Sequence, residues 1–429
     1  MTTPPICRFW LQGRCRRGAY CRFKHGANPP DAPGKGMLVD TGKMLEMMES
    51  HSLPVPLDSD DDKAISLTDY EFLSSYNWVD DDSPVIYVPG APAVWKSNEP
   101  PFKVSKDEGT FFIDQNTARC ATYPAEPLFR SLAVMQPCLS MRDFDLVTDR
   151  NCLRKLLRFV CADVDRSFRI DVQLQGGVMF LCRWEAELKH IILGHENFGY
   201  GHGFERVTTT FDKALRASSG HHRVVRYSLG GLRCLVRYEA DGCTDDAGEP
   251  SGKAKTAESD QTGDTDDLLE SLKSMSIASP QVKATGSVQV LSEGRVVPPA
   301  TIIEIKTRAL HRTLKIDEVL PQLWFAQTPN LFVGYHTNGH FQQIHELSMK
   351  PEFERWEKQH QVHLKKLVGL LKILRESVRS AKRQRCVVVC ARDKTSPRLK
   401  IYESTRTRAV LPDEIVSLHE WEEEARVAA

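Results

Sequence analysis

Leu232-Arg233-Cys234-Leu235-Val236-Arg237-Tyr238-Glu239-Ala240-Asp241 follows the pair Gly230-Gly231, with Val224, Val225 and Tyr227 on the other side of that pair. Two glycines between apolar-rich runs are a hairpin signal, because the tight turns that match twisted strands need positive φ. Leu232, Cys234, Val236 and Tyr238 alternate with Arg233, Leu235, Arg237 and Glu239, and a period of two puts Glu239 and Asp241 on one face of a strand. Further on comes Thr301-Ile302-Ile303-Glu304-Ile305-Lys306, a β-branched strand in which Glu304, separated from Asp241 by 62 residues, shares a face with Lys306. If the two strands are neighbours, three carboxylates and an ammonium converge. Such a group suits Mg2+ or Mn2+, hard cations that take oxygen ligands, and two of them can flank an in-line attack on phosphorus. A lysine beside them can orient the water or steady the pentavalent charge.

Working outward, Asp145-Leu146-Val147-Thr148-Asp149-Arg150 leads into a helix over Leu153–Phe159. A strand at Phe168–Leu174, a turn at Gly176-Gly177 and a strand at Val178–Cys182 follow. Gly199-Tyr200-Gly201-His202-Gly203-Phe204-Glu205 opens a helix predicted to carry Phe204, Val207, Phe211 and Leu215 on one stripe. Leu320-Pro321-Gln322-Leu323-Trp324 precedes a strand ending in Pro329–Tyr335. Pro351–Arg383 is strongly helical; Phe353, Trp356, Leu364, Leu367, Leu370 and Leu371 are apolar among Lys, Arg and Glu, which reads as packing rather than partner binding. Strands at Cys386–Ala391 and Leu399–Tyr402 and a final helix complete the pattern. The fold class expected is α/β in the broad α+β sense: a mixed central sheet, nuclease-like, flanked by helices.

Glu239-x-Asp241 and Glu304-x-Lys306 have the spacing of the PD-(D/E)XK nuclease core, and the order of elements over roughly residues 105–350 resembles the DXO-type decapping exonuclease family. Arg150 matches that family's arginine after a short strand, Glu205 its glutamate in a Gly-aromatic-Glu context, and the two acidic pairs its next two motifs. Gln322 matches a glutamine seven residues before the proline of a Val-Gly-aromatic strand. The resemblance implies that Glu205, Asp241 and Glu304 bind catalytic Mg2+ or Mn2+ directly, that Glu239 does so through water, and that the Ile305 carbonyl adds a ligand. It implies that Lys306 and Gln322 hold the nucleophile and scissile phosphate, and that Arg150 clamps a phosphate oxygen with its planar fork. The activity implied is metal-dependent decapping or 5′–3′ exonuclease hydrolysis at RNA 5′ ends, and some members of the family bind a 5′–3′ exonuclease. Three features depart from the family: Asp149 replaces an aromatic residue before the arginine, the two acidic pairs stand far apart, and a finger precedes the domain.

That finger is Cys7, Cys15, Cys21 and His25, spaced C-x7-C-x5-C-x3-H. Three thiolates and an imidazole close a tetrahedral shell, so the expected Zn2+ is structural. Arg8, Arg14, Arg16, Arg17, Arg22 and Lys24 lie between or beside the ligands without an acid, interleaved with Phe9, Trp10, Tyr20 and Phe23. Cations that track phosphates and rings that stack on unpaired bases suit single-stranded RNA. In ligand order, spacing and aromatic positions the module resembles the CCCH zinc fingers.

With 41% hydrophobic and 27% charged residues in a chain of 429, a sizeable core can form, whereas a formal net charge of zero requires any nucleic-acid surface to be local. No apolar run is long enough to span a bilayer and no signal-peptide pattern opens the chain, so a soluble intracellular protein without a membrane partner is expected. Its 12 cysteines are then not a disulfide framework. Nuclear residence is the expected location, with the cytoplasm as the other compartment. The domains expected are the finger at 1–27, a flexible linker at 28–65 with a short helix at Met44–Ser50, the α/β domain at 66–425, and within it a disordered acidic insertion at 242–286. His195, His202, His221 and His222 read as loop or surface histidines, and the runs Asp60-Asp61-Asp62 and Asp80-Asp81-Asp82 as solvated loops rather than a prenyl-synthase diphosphate site. The alternative to an enzyme is a catalytically silent RNA-binding adaptor that keeps the nuclease fold.

Overall fold

The structure is a computed structural model, and it describes residues 36–54, 64–193, 199–245, 288–392 and 397–421. The finger and most of the acidic insertion lie outside the described residues.

Eleven strands form one mixed sheet. In spatial order they are Thr41–Glu49 (β1), Arg398–Ser404 (β20), Arg385–Cys390 (β19), Phe168–Gln175 (β8), Val178–Trp184 (β9), Leu146–Asp149 (β7), Leu232–Ala240 (β13), Ser218–Leu229 (β12), Leu67–Val79 (β2), Val85–Gly90 (β3) and Gln289–Gly294 (β15). Seven form a second: Thr209–Thr210 (β11), Val94–Trp95 (β4), Gly242–Cys243 (β14), Ile302–Ala309 (β16), Asn330–Thr337 (β17), His340–Ser348 (β18) and Phe102–Lys103 (β5). A two-stranded ribbon pairs Gly109–Phe112 (β6) with Lys189–Ile192 (β10). The helices are Gln115–Arg119 (α1), Glu126–Met135 (α2), Arg150–Val160 (α3), Gly201–Thr208 (α4), Ile316–Ala326 (α5), Lys350–Gln359 (α6), Gln361–Ser380 (α7) and Asp413–Val416 (α8).

Why these stretches take these forms follows from their periods. The β12–β13 hairpin turns at Gly230 and Gly231, whose φ values of 54° and 80° only glycine adopts without strain. α3 buries Leu153, Leu156, Leu157 and Val160, a helical stripe, against α5 and α7. α7 answers with Leu364, Leu367, Leu371 and Leu374 at 1% exposure or less. The helical stretch 351–383 is thus packing, as its pattern suggests, but a break at His360 divides it into α6 and α7.

Three expectations are corrected. Thr41–Glu49 is a strand, not part of a linker with a helix: its Met-rich sequence is helix-tolerant, but antiparallel pairing with β20 supplies its backbone partners and overrides propensity. Gly242 and Cys243 do not belong to a disordered insertion, because they pair with Ile303 and Ile302. The helix after Gly199 stops at Thr208, so Phe211 and Leu215 are not on its stripe and Val207 is exposed. The Thr208 and Thr209 hydroxyls donate to the carbonyls of Phe204 and Glu205 (2.8 and 2.7 Å), which closes that helix.

Candidate active site

β13 and β16 are not neighbours; they belong to different sheets. What joins them is Asp241, the single residue between β13 and β14, where the chain passes from the first sheet into the second. β14 pairs with β16 for two residues only. Where that ladder stops, the Asp241 carboxylate takes over, accepting a hydrogen bond from the Ile305 N–H at 2.8 Å. The side chain that bridges the sheets is therefore also the one that satisfies the backbone at their junction.

Glu304 stands at the centre, 1% exposed. Its Oε1 accepts from the Lys306 ammonium and from the Gln322 amide on α5. Its Oε2 is buried without a hydrogen-bond partner, and the Nη1 of Arg150, equally unsatisfied, stands 3.5 Å away. Lys306 also donates to the Ile305 carbonyl at 3.0 Å and lies 3.7 Å from Asp241. Arg150 is the first residue of α3, placed by the end of β7, and its guanidinium sits 5.4 Å over the Tyr238 ring. Glu205 enters from α4, whose Phe204 is fully buried against Phe341 and the bare backbone of Gly334. Glu239, near the end of β13, meets solvent. All seven side chains proposed as catalytic, together with the Ile305 backbone, come to one place. The four finger ligands lie outside the described residues.

The electrostatics are those of crowded negative charge. Burial and the neighbouring Asp241 raise the Glu205 carboxyl well above its usual range. Enclosure by the surrounding protein and the charge of Asp241 push Glu239 up to about 7, although water still reaches it. Burial and Glu304 push Asp241 up to about 6. Burial works the same way on Glu304, but Lys306 and Arg150 outweigh it and hold that carboxyl low. Burial alone would lower the Lys306 pKa, yet Glu304 and Asp241 hold it raised.

A divalent cation fits this donor set. One buried carboxylate oxygen lacks a partner, and burial together with neighbouring negative charge raises the pKa of three further acids, a strain that a cation would relieve. Among the described residues no three His, Cys, Asp or Glu are spaced to grip a metal as they stand.

Other neighbours escaped the motif reading. Arg154, one turn beyond Arg150, lies near enough to help hold Glu304 ionised. Arg183 on β9 acts likewise on Glu239. Gln115 and Glu239 flank Gly220, with side-chain oxygens 2.5 and 3.2 Å from where a Cβ would sit. His221 and His222 are not surface residues: they are 2% and 4% exposed on β12, and His222 is the cross-strand partner of Glu239, stacked on Tyr76. Burial and the cation of Arg237 keep the His222 pKa well below its usual value. Two signals in the sequence point to these residues: the i, i+4 spacing of Arg150 and Arg154, and the Gly230-Gly231 hairpin register that sets His222 opposite Glu239. His202 is exposed, His195 lies outside the described residues, and Asp80, Asp81 and Asp82 are exposed between β2 and β3.

A model of the family described as "Domain of unknown function (DUF8563)" matches residues 50–420, and one described as "Zinc finger C-x8-C-x5-C-x3-H type (and similar)" matches residues 3–27. No curated protein matches the chain. Among solved structures, S. pombe Rai1 superposes with a TM-score of 0.51 at 11% identity, covering 84% of this chain and 99% of that one. Candida albicans Rai1 in complex with pU5-Mn2+ gives 0.50 at 12%, covering 83% and 96%. Scheffersomyces stipitis Rai1 in complex with (3′-NADP)+ and calcium ion gives 0.50 at 11%, covering 82% and 96%. At such identities the likeness establishes the fold, and it bears out the mixed nuclease-like architecture read from the motifs.

Proposed function

The chain belongs to the family described as a domain of unknown function, DUF8563, and from that premise and the acid cluster we propose that it is a metal-dependent phosphohydrolase acting on RNA 5′ ends, by decapping or by 5′–3′ removal of nucleotides. The observation that carries this is the convergence of Glu205, Glu239, Asp241 and Glu304 with Lys306, Gln322 and Arg150 across the junction of two sheets. The complexes of the Rai1 neighbours with pU5 and Mn2+, and with a dinucleotide and calcium, support the choice of ligand.

Glu205, Asp241 and Glu304 would hold Mg2+ or Mn2+, with the Ile305 carbonyl completing the set and Glu239 acting through water. Such cations, when bound, supply positive charge to the phosphoryl oxygens and activate water. The chain's own groups do the rest. Arg150 clamps a non-bridging phosphate oxygen through its planar fork. Lys306 and Gln322 donate hydrogen bonds that fix the scissile phosphate and the attacking water. Glu239, which solvent reaches, would accept a hydrogen bond from the attacking water and orient it. The finger would deliver single-stranded RNA.

One observation favours a second reading, the silent adaptor: Lys306 and Gln322 both donate to Glu304 Oε1 and so already satisfy one of the oxygens a metal would need. Calorimetric titration of the zinc-loaded chain with Mn2+ separates the two. We expect binding that disappears in Glu304→Gln while the melting transition survives. No Mn2+ binding by the parent chain would sink the hydrolase and leave the adaptor.

A further inference from the structure

The β6–β10 ribbon stands outside both large sheets and has a composition of its own. Gly109-Thr110-Phe111-Phe112 pairs with Lys189-His190-Ile191-Ile192, with no acid on either strand. Phe111 is stacked on the exposed ring of His202, with centroids 3.8 Å apart and planes within 10°. Phe112 is partly exposed between two cations, the Lys189 ammonium at 5.1 Å and the Arg119 guanidinium at 5.0 Å from its centroid. Beside Lys189 on the same face, Ile191 is 64% exposed. Two short strands are marginal on their own and gain little by displaying rings to water.

Both ends of the ribbon are tied to the acid cluster. His202 lies one turn before Glu205 on α4, and exposed Arg206 is four residues past His202, on the same side of that helix. Asp107, just ahead of β6, accepts from the Gly203 N–H at 2.8 Å and so pins the first turn of α4. At the other end, Ile113 N–H bonds to the Leu188 carbonyl at 2.8 Å, and Gln115 reaches the space beside Gly220 that it shares with Glu239.

We propose that this ribbon is a stacking platform for the single-stranded RNA that adjoins the acid cluster. An unpaired base extends the stack that His202 begins on Phe111, with Arg206 on the same side of α4 to meet its phosphate; Phe112 lies on the opposite face of the ribbon, where its two cations, Lys189 and Arg119, meet the backbone of the strand as it passes over the ribbon's edge. Every base has a π-face, so such a surface grips RNA without reading its sequence, and flanking cations complement the backbone charge. The inference rests on the RNA-directed reading above. It adds a consequence that reading lacks: affinity should grow with RNA length beyond the 5′-terminal nucleotide.

The test uses the full chain carrying Cys15→Ser, so that the finger does not mask the effect, and compares a 5′-phosphorylated uridine decamer with uridine 5′-monophosphate by fluorescence and calorimetric titration, without added Mg2+ or Mn2+. Phe111→Leu/Phe112→Leu keeps apolar bulk and removes the rings. It should weaken decamer binding about tenfold and leave the mononucleotide unchanged. Lys189→Glu, at an exposed site, should weaken the decamer more at low salt than at high salt while leaving the melting transition in place. Unchanged decamer affinity in both variants overturns the platform. Equal losses for both probes overturn it too, since the ribbon would then merely support the acid cluster. A chain that cleaves no RNA yet shows the decamer-specific loss would refute the hydrolase and keep the platform.

Discussion

Asp149 shows what a single departure from a motif can mean. It stands where the resembled family has an aromatic residue, and the structure gives the reason: Asp149 is opposite Arg237 across the parallel β7–β13 pair and accepts two hydrogen bonds from its guanidinium, at 2.6 and 3.0 Å. Arg237 is 5% exposed and also donates to the Pro124 carbonyl. Removing one partner of such a pair leaves a buried charge uncompensated, so Asp149→Ala should destabilise the domain by about 3–5 kcal/mol in urea unfolding. Asp149→Ala/Arg237→Met should recover much of that loss. The acid cluster makes a second prediction at this scale. Because Glu205, Glu239 and Asp241 have raised pKa values, the last two about 7 and about 6, protons compete with the metal. Mn2+ affinity measured by calorimetry should therefore rise from about pH 5.5 to about pH 7.5 and then level off. The sign for stability is opposite: the metal-free folded state binds more protons than the unfolded chain, so its stability falls as pH climbs through the same window, and Mn2+ restores it. The acidic pairs were legible because strand alternation places i and i+2 together. His222 was within reach of the same reading, because the Gly230-Gly231 hairpin register sets it opposite Glu239, but Arg183 and Gln115 were not: β9 meets β13 only through β7, and Gln115 follows a ribbon whose two strands are far apart in sequence.

At the scale of elements, α4 is the part whose seat matters most. It is only Gly201–Thr208, yet it brings Glu205 to the cluster, and Phe204 locks it down over Gly334 of β17. A Cβ at Gly334 would stand 2.6 Å from the Phe204 ring and 2.8 Å from Phe341. Gly334→Ala should then cost about 1–3 kcal/mol of stability through overpacking, and it should weaken Mn2+ binding because Glu205 is carried outward with its helix. Unchanged metal affinity in a folded Gly334→Ala chain would show that α4 is not held this way. The helix's start was readable from its glycines, its end was not: Thr208-Thr209-Thr210 closes the helix by hydroxyl bonds to the last carbonyls and pairs with β4. β1 was hidden for a related reason. Met44, Leu45 and Met47 are exposed, so neither a helical nor a strand period of burial marks the segment, and only its edge pairing with β20 makes it a strand.

For the whole molecule, the two-sheet arrangement explains why a long separation between the acidic pairs does no harm. The chain leaves the second sheet after Cys243 and returns through β15 to β16, so the added residues lengthen a connection without parting the strands that carry Asp241 and Glu304. Loop entropy grows only slowly with length. Among the described residues no helix is long and apolar enough to cross a membrane, and the apolar faces of α3, α5 and α7 are spent on one shared core. A CCCH finger model matches ahead of that domain, and we infer that it gathers RNA for the acid cluster. The central claim is that this cluster hydrolyses RNA 5′ ends, and it is tested by incubating the purified chain in Mn2+ with 5′-monophosphate, triphosphate and capped RNAs beside Glu239→Ala/Glu304→Ala. The account predicts release of nucleotides or cap from at least one of them, abolished in the double variant while zinc and fold are retained. No cleavage of any of the three by a folded, zinc-loaded, Mn2+-bound chain would contradict it.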